Sequence, residues 1–448
     1  MLGSSGVLRL VKFAAPLLIV VWCLGSFVSY ESTYNGLVRT FKDGKHLFVS
    51  DFLAHEIDGN FDGRAISALC ASKQWTPGLI LSCDPTPGGI GQVRNAHLSC
   101  IRFAMEMGAE LVVPRIVKRD EKDIAVLMPN VGGPQRGHPI DYLFEFEHLN
   151  QTLAAYCPQM KVYRSMDDLY NVPQVMKGHP ISLYEIHAPL ANGSVIDDMP
   201  SLGRQIKKYI DEMAPPDNRV YPIRFNLAVT KWAFQTAYDG PAFAGSFGRL
   251  LRAHEDARRL AAAALYNLSK GFGFNLDPRK GIKEGTFVGA HLRTETDVDS
   301  LVPDYESQAA YLLDFIVNSR VRVVFLATGA TEEQTTAFVA RARDFNVTVV
   351  LKKDVLHGDD LALLDRLSWD QRALVDYEIM LRAGLMAGPS GSGYAWSLAL
   401  RRRAISGGAP NNSSALPVTS ARVQYHDRLS TIFGRSERGS VFMQTIWP

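Results

Sequence analysis

Apolar and polar positions change rhythm several times along this chain. Residues 78–83 (GLILSC) read as a short, mainly apolar strand, and residues 84–91 (DPTPGGIG) are rich in turn formers. Val93, Ala96, Cys100 and Ala104, with Ile101 and Met105, then recur at helical spacing up to Gly108, a C-terminal stop, and residues 110–114 read as a second strand. Strand, Gly-rich loop, helix, strand is a βαβ unit whose loop should carry backbone N–H groups above the sheet. Helical periodicity returns over 142–153, a short strand pattern over 161–163, and a long Ala/Leu/Arg helical run over 242–268, expected to be a surface helix packed on one face. Beyond it come strand 287–292, helix 305–317, strand 321–327, helix 331–345, strand 347–351, helix 369–383, strand 385–388 and helix 395–400. Such alternation predicts an α/β fold with a doubly wound sheet. Residues 213–218 (MAPPDN) are the best linker candidate. We therefore expect a stem over 30–76, an N-terminal α/β domain over 77–222 and a C-terminal α/β domain over 223–448.

One run breaks this pattern. Residues 13–28 (FAAPLLIVVWCLGSFV) are almost wholly apolar and follow Arg9 and Lys12. As a helix they span roughly 24 Å, close to a bilayer's hydrocarbon core. The basic flank would keep the amino end cytosolic. A signal anchor within residues 1–29 is expected, with a cleaved signal peptide as its rival, since no clear small-x-small cleavage site follows. A single-pass type II protein of the endoplasmic reticulum or Golgi, its bulk lumenal, follows from the anchor. The 448-residue chain is 46% hydrophobic and 21% charged, with a net charge of +2, so it can bury a large core and offers no overall field for nucleic acid. Sequons at Asn150, Asn192, Asn267, Asn346, Asn411 and Asn412 suit a lumenal compartment. Beyond the apolar run, Cys70, Cys83, Cys100 and Cys157 allow three pairings of two disulfides, or remain buried thiols.

The candidate chemistry gathers at FVGAHLRTETD, residues 287–297. A strand here places His291, Arg293 and Glu295 on one face and Leu292 on the other. An Arg beyond a strand's carboxyl end suits a diphosphate, though pairing with Glu295 or Asp297 is the plainer role. A second small-residue loop, Pro389-Ser390-Gly391-Ser392-Gly393-Tyr394, opens a helix whose first N–H groups suit an anion. The loop GGIGQVRN lacks the dinucleotide spacing G-x-G-x-x-G, which disfavours a nicotinamide enzyme. The acidic pairs Asp359-Asp360 and Asp197-Asp198 read as helix starts or surface residues, so no metal site is expected.

Three blocks together resemble the O-fucosyltransferase-like glycosyltransferases: GGIGQVRN with ELVVPRI, VGAHLRTETD, and VFLATG followed by LVDYEIMLRAGLMAGPSGSGYAWSLALRR. The resemblance covers about residues 77–402. It implies two Rossmann-like domains facing across a cleft (GT-B), GDP-fucose as donor, a protein or glycan hydroxyl as acceptor, inversion at the anomeric carbon, and no cofactor or metal. It further implies donor contacts from Gly88, Gly89, Gly91, Arg94, His291, Arg293, Asp376, Ser390, Ser392, Gly393 and Tyr394, with Arg293 catalytic through the diphosphate. The chain departs from the family where Gly91 replaces an Asn and Gly88 a catalytic Glu. Asp84, just upstream, is the substitute general base, and an Asx-turn is its plainer role. A lumenal nucleotide-sugar or glycan-binding protein of the same fold, without turnover, is the alternative.

Overall fold

The computed structural model describes residues 44–121, 123–126, 137–186, 190–191, 195–196, 198–228, 233–295, 302–407, 423–434 and 437–448. The apolar run 13–28, the sequons at Asn192, Asn411 and Asn412, Asp197 and the expected partner Asp297 lie outside these residues. No helix among the described residues is long and apolar enough to cross a membrane.

Two mainly parallel sheets organise the chain. The first comprises β1 (Leu79–Cys83), β2 (Glu110–Val112), β3 (Val162–Tyr163), β4 (His179–Ile181) and β7 (Ile223–Leu227), in spatial order β3-β2-β1-β7-β4 and parallel throughout. A small antiparallel ribbon of β5 (Leu190–Ala191) and β6 (Val195–Ile196) stands apart. The second sheet comprises β8 (Val288–Leu292), β9 (Val323–Thr328), β10 (Thr348–Val350), β11 (Leu385–Pro389), β12 (Val423–His426) and β13 (Ser430–Phe433). Its order is β10-β9-β8-β11-β13-β12, and only β12 runs antiparallel to its neighbour. Strand order reverses between β1 and β7 in one sheet and between β8 and β11 in the other, and crevices form above such points.

Both faces of the second sheet are covered, as period-two alternation requires. Val288, Ala290 and Leu292 join Leu312, Ile316 and Phe338 on one side. Phe287, Phe325 and Ala327 join the helices Trp369–Leu381 and Gly393–Ile405 on the other. Local signals set the helix ends. Gly108 adopts φ 61°, receiving the helix Ile90–Met107 in a left-handed cap, and Thr331 with Gln334 forms a reciprocal capping box.

The expected boundary at residue 222 is corrected. β7 pairs along its length with β1, so residues 223–227 complete the first sheet, and 213–218 merely turns the helix Met199–Met213 toward β7. From Gly44 onward the expected stem is folded onto the body: Phe52 is fully buried, and Phe48 packs edge-on to Tyr266 at 5.7 Å. The run 242–268 is two helices, Pro241–Phe247 and Glu255–Phe272, and Leu260 to Leu265 of the second are buried rather than superficial. Disulfides join Cys70 to Cys157 and Cys83 to Cys100. The Asn267 amide donates to the Val355 carbonyl at 2.6 Å and so packs within the fold, whereas Asn346 is exposed at a φ of 57°.

Candidate functional site

A cavity opens between the Gly-rich loop of the first half and the carboxyl ends of the strands of the second sheet. Its walls come from the carboxyl ends of β8 (His291, Arg293, Glu295), β9 (Ala327, Thr328, Gly329), β10 (Lys352) and β11 (Gly391 to Tyr394). The helix Trp369–Leu381 adds Trp369, Arg372, Ala373 and Asp376, and the first half contributes Gly89, Ile90, Gly91, Gln92 and Arg119. The position is the switch point of the second sheet, where open α/β sheets bind ligands.

Arg293 follows the last residue of β8. Its backbone is clamped by the fully buried Gln308, which accepts from Arg293 N at 2.9 Å and donates to Arg293 O at 2.7 Å. Its guanidinium donates to Glu295 Oε2 at 2.5 Å, and Glu295 Oε1 accepts from Gly329 N at 3.0 Å. Burial is the largest influence on Glu295 and opposes its charge, but the Arg293 charge and the hydrogen bonds to the carboxylate together outweigh it and hold the carboxyl below its ordinary pKa. The plainer role expected for Arg293, pairing with Glu295, is therefore present, and it occurs on the cavity wall.

His291 is buried, and burial depresses its pKa from 6.5 to about 4, so the ring is neutral near pH 7. A carbonyl only accepts, which makes Nδ1 the donor to Ala327 O at 3.2 Å and Nε2 the acceptor from Ser392 Oγ at 3.1 Å. Ser392 Oγ also accepts from Ala395 N, capping the helix Gly393–Ile405. His291 thus ties β8 to the second small-residue loop. The Tyr394 ring lies 4.7 Å from the imidazole, closing that corner.

Asp376 is buried beside the cavity. Lys352 Nζ donates to its Oδ2 at 2.5 Å, while Oδ1 has no hydrogen-bond partner among the described residues. Burial raises its pKa, an effect that Lys352 only partly offsets.

Four of the expected site residues fall elsewhere. Arg94 is fully enclosed behind the first loop, donating to the carbonyls of Trp447, Gly248 and Pro448, each at 2.6 Å. Its Nη donors are spent on the fold, where it joins the first half to residues 447–448. Gly88 is a turn residue at φ 123° outside the cavity wall, where a Cβ would meet Gln92 Oε1 at 2.1 Å. Ser390 is fully buried beside Gly434 rather than in the wall. Asp84 lines a different cavity, above the β1/β7 switch point, where it accepts from Asn226 Nδ2 at 2.6 Å. Gly89, Gly91, His291, Arg293, Asp376, Ser392, Gly393 and Tyr394 are brought together. Gly91 has a steric reason to lack a side chain, since its Cβ would lie 2.5 Å from Gly393 C and O and 2.7 Å from Tyr394 N. Arg119, Lys352, Trp369 and Arg372 escaped the sequence reading. Lys352 stands just past a strand's carboxyl end, a position that marks candidates in open α/β sheets, whereas Arg119 sits in an ordinary charged run.

No protein-family model matches the chain, and no curated protein matches it. Among solved structures it is similar to POFUT1 in complex with GDP-fucose, at 15% identity and a TM-score of 0.45, covering 81% of this chain and 100% of that one. It is also similar to the fucosyltransferase NodZ from Bradyrhizobium, at 14% identity and a TM-score of 0.39, covering 72% of this chain and 92% of that one. The NodZ alpha-1,6-fucosyltransferase soaked with GDP-fucose gives the same figures.

Proposed function

We propose that the chain is an inverting, metal-independent glycosyltransferase that moves fucose from GDP-fucose to a hydroxyl of a protein or glycan acceptor. The observation that carries the reading is the convergence of Arg293, the Gly391–Tyr394 helix start and the half-satisfied Asp376 on one cavity at a sheet switch point. Arg293 and the backbone N–H groups at the start of the helix Gly393–Ile405 would neutralise charge growing on the leaving diphosphate. His291 holds that helix start in place through Ser392. Asp376, in the cavity wall, would set a carboxylate beside a base edge that presents donors, which guanine does and uracil does only once. Lumenal residence behind an anchor at residues 13–28 is part of the proposal, and two disulfides suit an oxidising compartment.

Transfer also needs a base for the acceptor hydroxyl. The cavity's two carboxylates, Glu295 and Asp376, are engaged by Arg293 and Lys352, and Asp84 faces the other cavity. That arrangement favours the second reading, donor binding without turnover. One series separates the readings: melting of the lumenal part with GDP or UDP, with and without chelator, followed by release of fucose or its transfer from GDP-fucose. Stabilisation by GDP above UDP, unchanged by chelator, with turnover, supports the transferase. GDP binding without turnover selects the second reading, and stronger stabilisation by UDP removes both. Arg293→Lys keeps charge but loses the planar fork, so turnover should fall about a hundredfold, or roughly 2.7 kcal/mol.

A further inference from the structure

We propose that Arg119 is the first half's ligand for the donor's diphosphate, paired with Asp370 and exchanged onto phosphate when the donor binds; this rests on the donor reading above. Arg119 belongs to the first half, is only 4% exposed, and lies in the wall of the cavity. Its Nε and Nη2 both donate to a single oxygen, Asp370 Oδ1, at 3.1 and 2.7 Å. Nη2 also stands 3.7 Å from the place where a Cβ of Gly89 would be, so the guanidinium fills the space over the Gly-rich turn.

The cavity's charges explain why an exchange is needed. Each cation in its wall is paired with a carboxylate: Arg293 with Glu295, Lys352 with Asp376, Arg119 with Asp370, and Arg372 with Glu121. A diphosphate brings about two or three negative charges into this balanced set, so it is bound well only if a carboxylate gives up its cation. The first two pairs lie within the second half, and Glu295 is also anchored by Gly329 N. The other two cross the cleft. Asp370 stands in the first turn of the helix Trp369–Leu381, where the helix dipole supports a negative charge after Arg119 leaves. Burial also raises its pKa, so it tolerates losing its partner better than an obligate anion would. A guanidinium fork can then take two phosphate oxygens.

The test uses the whole chain and three variants, Arg119→Gln, Arg119→Lys and Asp370→Asn, titrated with GDP, guanosine and inorganic pyrophosphate, with apo melting recorded for each. Arg119→Gln should weaken GDP and pyrophosphate by about tenfold to a hundredfold and leave guanosine unchanged. Arg119→Lys should lose part of that affinity while melting near wild type. Asp370→Asn should bind GDP as tightly as wild type or more tightly, because its Arg is already released. An equal loss for guanosine and GDP in Arg119→Gln, no loss at all, or a loss of GDP binding in Asp370→Asn would make the pair a structural brace and overturn the inference. Wild-type GDP binding would then leave the donor reading standing. A wild type that binds neither GDP nor pyrophosphate overturns both.

Discussion

Gly91→Ala tests the contact on which the cleft depends. Gly91 lies in the first turn of the helix Ile90–Met107, and a Cβ there would sit 2.5 Å from Gly393 C and O. Ordinary contacts begin near 3.4 Å, so a methyl requires an opening of 3.4 minus 2.5, about 0.9 Å. The obstacles are backbone atoms and cannot rotate away. On one side the helix start is pinned by Ser392 to Ala395 N and His291, and on the other Arg94 is tied to three carbonyls. The halves must therefore part. Overpacking costs about 1–3 kcal/mol, but alanine regains roughly 1 kcal/mol of helix propensity, leaving a net loss of about 0–2 kcal/mol. Geometry suffers more than stability, because a misplacement near 1 Å can lower turnover about a hundredfold. The assay pairs apo melting with GDP titration and GDP-fucose turnover. Gly245→Ala is the control: Gly245 lies in the helix Pro241–Phe247 with nothing within 4 Å of its Cβ position, so the substitution should be neutral or stabilising. A Gly91→Ala protein that melts, binds and turns over like wild type would refute the contact and place the two helix starts apart in solution.

Two further outcomes follow. Arg94→Lys should lower stability by roughly 1–3 kcal/mol through carbonyls left unmatched, with GDP affinity of the folded protein nearly unchanged; calorimetric melting and titration check both. His291 has a folded pKa of about 4 against an ordinary 6.5, so the unfolded chain binds the extra proton between these values. Its contribution is fully present above pH 6.5 and is lost as pH falls toward 4, about 3 kcal/mol in all. Denaturant unfolding at pH 7 and at pH 4.5 should show a steeper acid loss in wild type than in His291→Gln.

The sequence by itself determined those parts of the fold that are written within a few neighbouring residues. Apolar runs bounded by turn formers located β1, β8, β9 and β11. One helix end followed from Gly108, because a left-handed stop acts over one turn. The convergence of His291, Arg293 and Glu295 was legible as well, since a strand's period fixes which side chains share a face. What remained hidden depends on partners distant in the chain. Ile223–Leu227 shows little pattern of its own, and only its pairing with β1 assigns it to the first sheet. Arg94 and Arg293 stand in similarly polar, Gly-flanked contexts, yet one is spent on the chain's last carbonyls and the other faces the cavity. The two disulfides were one choice among three pairings until the fold brought Cys70 beside Cys157. The exchange of Asn for Gly91, read from the chain as a loss, is a requirement of two helix starts meeting backbone to backbone. Burial and long-range contact decide these roles, and neither is a property of a residue's neighbours in sequence.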